Sequence, residues 1–254
     1  RKYKSKFQAK KAVRGKLILS ELIVISKTKL KKVKDKITKK VKKRMILNLK
    51  KSGVTSVSVK SERPELPRML DVVFSNLELL RKRRGQQLRH LVLDFAHAFF
   101  NFPNQEKERR YFAARLRDYI YVWWRTTQGS RGAPLICGRC LGLAMRLALA
   151  AVPEEVANAS TYVDDPIITA VGDTASQNEN FGIIIACLLA MGYELSFAKA
   201  QDSSMEGRVT WTSGVVEWLA EEEAIRVEVK PEILIELGEN IDGMFKTNSV
   251  TVDD

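Results

Sequence analysis

The sequence predicts an α+β fold in which antiparallel hairpins are backed by apolar helices, and three observations carry that prediction. Short β-branched runs flank tight turns, as at 159–169 around Asp164-Asp165-Pro166, and again at Arg208–Val216 followed by Ala224–Lys230. Apolar residues recur at helical spacing between them, over 69–80, 135–151 and 181–191. The charge is polarised. The 254 residues carry a net +13, yet residues 1–60 hold 22 Lys and Arg against two acids, Glu21 and Asp35, and the remainder is net negative. A polyanion-binding end joined to an ordinary globular body is what such a split implies.

Taken in order, residues 1–20 are Lys-rich around Leu17-Ile18-Leu19 and show no clear period. Leu22–Ser26 reads as a strand and Arg44–Lys50 as a second, stopped by Lys51-Ser52-Gly53. The Lys-dense stretch 27–43 between them reads as a connection, so the pair makes a long basic hairpin suited to phosphates. Pro64 and Pro67 introduce a helix whose apolar stripe is Met69, Leu70, Val73, Phe74, Leu77 and Leu80. Arg81-Lys82-Arg83-Arg84 and Gly85 are its C-terminal signals. Leu91–Asp94 is a buried-type strand ending in a carboxylate. Asn104 and Glu106 suggest the start of another helix, with Phe112, Leu116, Tyr119 and Ile120 on its buried side, and Tyr121–Trp124 reads as a strand. Gln128–Pro134 is a glycine-bearing loop leading into a helix over 135–151 that is apolar nearly all round and therefore expected to be buried; such a loop before a helix N-terminus suits phosphate. After the Asp-Asp turn come an apolar helix from Phe181 to Met191 ended by Gly192, then Lys199, then a β-hairpin through Glu221–Glu223. Pro231 starts a helix expected to break near Gly238.

Several function classes are excluded. The three cysteines, Cys137, Cys140 and Cys187, are odd in number and follow no secretory signal, which points to a reducing, intracellular setting (cytoplasm or nucleus) rather than secretion. Cys137-x-x-Cys140 has no second ligand pair and does not read as a zinc site. His90 and His97 leave little room for imidazole chemistry. The apolar run 133–152 is broken by Arg139 and Arg146, so no membrane partner is expected. A start at Arg1 suggests a piece of something longer.

Asp164-Asp165 is where chemistry concentrates. Adjacent carboxylates at a tight turn repel, and hard divalent ions are the usual reason to keep them together. Pro166 biases Asp165 away from helical backbone, fitting a turn at Asp-Asp-Pro. The order of features around this turn is distinctive: a strand ending in Asp94, a loop with Gln128-Gly129, Tyr162-Val163-Asp164-Asp165, Leu188-x-x-x-Gly192 with Lys199, and Trp211-Thr212-Ser213-Gly214.

This succession resembles the polymerase palm of reverse transcriptases, especially those of eukaryotic retrotransposon polyproteins, over about Ile23 to Lys230. The resemblance implies a right-hand polymerase palm, an antiparallel sheet backed by helices, with a basic fingers hairpin and a thumb largely absent. It implies a basic N-terminal segment and fingers hairpin over 1–60, a connecting helix over 61–90, a palm over 91–218, and a hairpin end with the start of a truncated thumb over 219–254. Asp94, Asp164 and Asp165 are then the metal carboxylates for two Mg²⁺ ions, with Mn²⁺ as a substitute, and Lys199 a catalytic proton donor or electrostatic partner of pyrophosphate. Lys27, Lys29, Arg44, Phe95, Phe99, Gln128 and Gly129 are expected at the incoming nucleotide, Phe99 as the aromatic that excludes a 2′-hydroxyl. Tyr162, Val163, Trp211 and Gly214 are expected at template and primer. The implied activity is RNA-directed DNA polymerisation from dNTPs on a primed RNA or DNA template. The alternatives are a catalytically inactive nucleic-acid-binding remnant, and an RNA-templated RNA polymerase, which Phe99 disfavours. His97 and Asn48 stand where acids are common in that family, and 27–43 is longer and richer in Lys than its pattern.

Overall fold

A computed structural model describes residues 1–13, 15–33, 36–59 and 62–247, with 27–33, 36–40, 42 and 243–247 described in backbone only. In chain order the elements are β1 (Lys2–Tyr3), α1 (Lys6–Lys11), β2 (Leu19–Val33), β3 (Lys36–Asn48), α2 (Val54–Val57), α3 (Met69–Lys82), β4 (Leu88–Val92), β5 (Ala113–Leu116) and β6 (Tyr119–Val122). They continue with α4 (Ala133–Leu149), β7 (Ala157–Tyr162), β8 (Asp165–Val171), α5 (Thr174–Ala190), β9 (Gln201–Asp202), α6 (Ser203–Glu206), β10 (Arg208–Trp211), β11 (Gly214–Leu219), β12 (Ala224–Val229) and α7 (Pro231–Thr247). The expected mixture of antiparallel sheets and helices is present. The chain divides into two compact units.

The first unit comprises Arg1–Leu66, Phe95–Ala144 and Gly192–Glu194. Its sheet has the order β1-β6-β5-β2-β3. β2 and β3 pair antiparallel without interruption from Glu21↔Asn48 to Val33↔Lys36. The Lys-dense stretch expected as a connection is therefore strand for most of its length. Thr28, Val33, Ile37, Thr38 and Val41 are interleaved among the lysines, and β-branched residues favour extended backbone. Described residues of the first 20 contribute to the core of the unit. The Ser5 hydroxyl caps α1 by accepting from the Gln8 N–H, and Ala9, Val13 and Leu17 pack with Ala113, Ile120 and Val122.

The helix expected after Asn104 is instead a hairpin. Ala113–Leu116 pairs with Tyr119–Val122 across a turn in which Arg117 adopts φ 54°. Asn104 does not cap a helix; its side-chain amide donates to the carbonyls of Arg125 and Trp123 and its Oδ1 accepts from Thr126. The apolar residues that fit a helical stripe also fit strand alternation, and these bonds from about 20 residues away select the strand.

The second unit comprises Pro67–Asp94, Met145–Met191 and Leu195–Asp254. It holds a sheet of order β7-β8-β4-β9 and a three-stranded sheet β10-β11-β12. Val92 and Ile167 of the first sheet and Val209, Trp211 and Val216 of the second close over Val72 of α3 in one apolar core. α5 is capped by Asp173, whose carboxylate accepts from the Ser176 N–H at 2.8 Å. α3 buries Val72, Asn76 and Leu79 and leaves Leu70, Phe74 and Leu77 exposed. Its buried face includes a polar residue because Asn76 meets His90 of β4 at 2.8 Å in the interior.

Two helices depart from expectation. α4 is not buried all round, since Ile136, Leu143 and Leu147 are exposed along it. α7 runs through Gly238 without a break; one glycine in a helix interior costs only about 1 kcal/mol. Leu234, Leu237 and Ile241 of α7 are exposed. Among the described residues no helix is long and apolar enough to cross a membrane.

Candidate active site

The site grows from strand register. β4 and β8 pair antiparallel with Val92↔Ile167, and the Leu93 N–H donates to the Pro166 carbonyl at 3.0 Å. Extending the ladder by one step sets Asp94 opposite Asp165. β7 and β8 are joined by a two-residue turn, with Tyr162 paired to Asp165. The turn is thus Val163-Asp164, one position earlier than Asp-Asp-Pro suggests, and Pro166 lies inside β8. Val163 takes φ 58°. A β-branched residue rarely adopts left-handed backbone, which costs on the order of 1–3 kcal/mol and is held only where surrounding structure imposes it.

Register and turn together bring three carboxylates into one cluster. Asp94, Asp164 and Asp165 each offer an oxygen, and these oxygens lie within 4.8 Å of one another. Such a spacing of hard oxygen donors fits a divalent cation. The electrostatics fit it too. Burial pushes the Asp165 carboxyl up to about 6, the charges of Asp164 and Asp94 push in the same direction, and Lys199 and Lys230 pull back. Asp165 thus holds its proton more tightly than a free carboxyl does. A cation must displace the Asp165 proton once the pH drops below that value. Mn²⁺ affinity is therefore expected to be level above about pH 7 and to fall roughly tenfold per unit below pH 6. Calorimetric titrations at pH 5, 6 and 7.5 measure this, and equal affinities at all three would refute it.

Lys199 joins the cluster directly: its Nζ lies 2.6 Å from Asp94 Oδ2. It ends a short 3₁₀ turn, Phe197–Lys199, whose approach is fixed by the Ser196 N–H donating to the Asp94 carbonyl at 2.8 Å. Trp211 is 1% exposed. Its Nε1 donates to the Asp165 carbonyl at 2.9 Å, and its ring meets Tyr162 edge-on at 6.3 Å. A side chain so buried supports the turn from beneath. A Cβ at Gly214 would lie 2.5 Å from Met69 Cε, the movable end of a flexible side chain, and 3.3 Å from the Glu228 carbonyl oxygen. Lys230, which the sequence did not single out, donates to the Thr212 carbonyl and lowers the pKa of Asp165. It sits far along the chain on a strand end with no motif of its own, so nothing in the sequence marked it.

The remaining candidates belong to the first unit. Arg44 is exposed on β3. Phe95 is 2% exposed and packs edge-on against Tyr193, ring centres 5.5 Å apart. Phe99 is half-buried in the 3₁₀ turn Ala98–Asn101, preceded by His97 at φ 54°. Lys27 and Lys29 pair with Lys42 and Lys40 along β2 and β3; their side chains lie outside the described residues. Gln128 is half-buried, and Gly129 presses against β3. Gly129 has φ +98°, and a Cβ there would stand 2.4 Å from the Leu47 carbonyl oxygen. Gly129→Ala meets both backbone strain and a collision with main chain. It is expected to lower the unfolding free energy by about 2–4 kcal/mol, read as a lower urea midpoint with unchanged slope.

Residues 22–224 match the family model described as reverse transcriptase (RNA-dependent DNA polymerase). No curated protein matches the chain in sequence. Among solved structures, the foamy viral protease-reverse transcriptase in complex with double-stranded DNA is 17% identical, with a TM-score of 0.53 over 91% of this chain and 34% of that one. The same viral protein in complex with an RNA/DNA hybrid is 18% identical, with a TM-score of 0.53 over 83% and 26%. The native prototype foamy virus protein gives 17%, 0.53, 81% and 24%. At these identities the likeness is one of fold. The chain spans from about a quarter to a third of the length of these structures.

Proposed function

The chain belongs to the reverse transcriptase (RNA-dependent DNA polymerase) family, and from that premise we propose that it is the palm and fingers of a retroelement polymerase that transfers nucleotides from dNTPs to a primer 3′-hydroxyl. The observation that carries the proposal is the cluster of Asp94, Asp164 and Asp165, with their oxygens within 4.8 Å of one another. Two bound Mg²⁺ ions would lower the pKa of the attacking hydroxyl and stabilise the pyrophosphate leaving group. Asp94 and Asp164 hold the cations, and Asp165 completes the ligand set from the next strand position. Tyr162 and Val163, at the tip of the β7–β8 turn, face primer and incoming nucleotide. Trp211 and Gly214 keep that tip in place. Lys199 donates a proton to, or offsets charge on, departing pyrophosphate. Arg44, with Lys27 or Lys29, offsets charge on the β- and γ-phosphates. Phe99 gates the sugar, Phe95 anchors its own segment against Tyr193, and Gln128 and Gly129 line the nucleotide's flank. The foamy viral relatives were solved with double-stranded DNA and an RNA/DNA hybrid, which supports a primed RNA or DNA template here. The domain reading of fingers over 1–60, connection over 61–90 and palm over 91–218 stays part of the proposal.

Primer extension on poly(rA)/oligo(dT) tests it. Incorporation of dTTP in Mg²⁺, with UTP used far less, is expected. A protein that binds the template–primer without extending it would fit the alternative of a non-catalytic nucleic-acid-binding remnant.

A further inference from the structure

Lys199 is placed oddly for a group whose only task is to meet pyrophosphate. Its ammonium sits 2.6 Å from Oδ2 of Asp94, whose carboxylate is one of the three in the cluster. Among the described residues Asp94 is its sole hydrogen-bond and ion-pair partner. A Mg²⁺ or Mn²⁺ ion on the same carboxylate would sit at about 2.0–2.2 Å from its oxygen. It would bring two positive charges into the space beside the ammonium. Ion and ammonium compete for one anion.

The two nearby lysines differ in how they are held. Lys230 is tied to a backbone carbonyl, that of Thr212, and stays with the β10–β12 sheet. The Lys199 side chain is 56% exposed and sits at the end of a three-residue 3₁₀ turn. It can swing away at little cost, and exposed ion pairs are weak.

We propose that Lys199 is a displaceable counter-ion of the metal site: it neutralises Asp94 while no cation is bound and is expelled when one enters. The inference rests on the metal reading of the three aspartates and deepens it. Expulsion has a consequence for the chemistry. An amine held on Asp94 is unavailable to any substrate, whereas an amine released beside the loaded site is free to meet the leaving phosphates. Metal loading would thus arm the lysine, and a protein without cation would hold it back. Charge at the site also stays closer to balance in both states, so the three carboxylates need not face one another unscreened.

The test is made on the whole chain without nucleotide or template. Mn²⁺ affinity is measured by electron paramagnetic resonance for the parent, Lys199→Met and Lys199→Arg. Lys199→Met is expected to bind about fivefold more tightly, matching the upper value for an exposed ion pair, and Lys199→Arg to stay near the parent. In parallel, acylation of the Lys199 amine is followed by peptide mass spectrometry with Lys230 as internal reference. Labelling of Lys199 is expected to rise several-fold on saturation with Mn²⁺ while Lys230 changes little. Equal or weaker Mn²⁺ binding by Lys199→Met, or labelling unchanged by Mn²⁺, overturns the counter-ion role while leaving the metal site standing. No Mn²⁺ binding by the parent or either variant overturns both.

Discussion

Asp164→Asn is expected to lower primer extension by at least about a hundredfold while the folded protein becomes no less stable. The loss follows from the role proposed for the carboxylate. A metal-held nucleophile and leaving group are worth several kcal/mol of transition-state stabilisation, and each 1.36 kcal/mol is tenfold in rate. The gain in stability follows from the repulsion that the native cluster tolerates. Asp165 is pushed up to about 6, first by burial and then by Asp164 and Asp94. Its folded state therefore holds a proton more tightly than the unfolded chain, whose carboxyl titrates near 3.8. Ionising it in the folded state costs stability, so this carboxyl by itself withdraws stability from the metal-free parent as pH rises from about 4 to about 6 and withdraws no more above. Asp164→Asn removes one of the charges responsible, and its loss over that range should be smaller. Chemical denaturation in chelator at pH 4, 5, 6 and 7.5, run beside the extension assay, separates the two effects. A variant that extends primers at the parental rate would remove Asp164 from the metal site. One that is markedly destabilised at pH 7.5 would show that the carboxylate is held for the fold.

A second large effect lies in the interior, with the opposite sign. His90 is fully buried and burial lowers its pKa to about 4. Its Nε2 accepts from the Asn76 amide at 2.8 Å, so the ring is neutral with its proton on Nδ1. The unfolded chain takes up a proton near pH 6.5 and the folded chain does not until about pH 4. The His90 contribution should therefore be lost as pH falls through that window, by roughly 3 kcal/mol at 1.36 kcal/mol per unit. His90 Nδ1 and Asn76 Oδ1 find no hydrogen-bond partner among the described residues. The double substitution Asn76→Leu/His90→Leu should thus remove the His90 contribution at little cost in stability at pH 7.5. Asn76→Leu alone leaves the ring unsatisfied and should cost about 1–3 kcal/mol. Because the Asp165 and His90 contributions run in opposite directions between pH 4 and 6, the parent should be flatter there than Asn76→Leu/His90→Leu, which keeps only the first. A double variant with an acid slope identical to the parent's would contradict the assignment.

The parts of the site legible in sequence are those that depend on local pattern. Asp94 closes a buried-type strand, and Asp164-Asp165 sits between two β-branched runs, so strand ends and turn were readable before any pairing was known. What brings them together is register between strands about 70 residues apart, which no local period encodes. Lys230 likewise reaches Asp165 through tertiary structure that no motif encodes. Trp211 was legible as a motif member, but its place beneath the turn depends on the core that Val92, Ile167 and Val216 form around it. The hairpin at 113–122 was misread as helix because Phe112, Leu116, Tyr119 and Ile120 satisfy both periods, and Asn104, the bond-maker that decides, resembles a helix cap. The apolar stripe of α3 does not by itself give its buried face, because a count of apolar positions overlooks Asn76, which enters the core in company with His90. Hydrophobic spacing finds elements well; it does not find buried polar pairs or strand partners.

The order in which the β7-β8-β4-β9 sheet is assembled bears on how the protein is made. Asp94 meets its lysine across 105 residues of chain, and its strand is flanked by β8 and β9, both of which lie well downstream. At 5–20 residues per second of synthesis, the strand ending in Asp94 waits several seconds for β8 and longer for Lys199. The β2–β3 ribbon, in contrast, closes on itself through neighbours in sequence. A nascent chain should thus expose a finished basic ribbon well before its three carboxylates are gathered, and a polyanion would meet the ribbon on the ribosome before a cation meets the cluster.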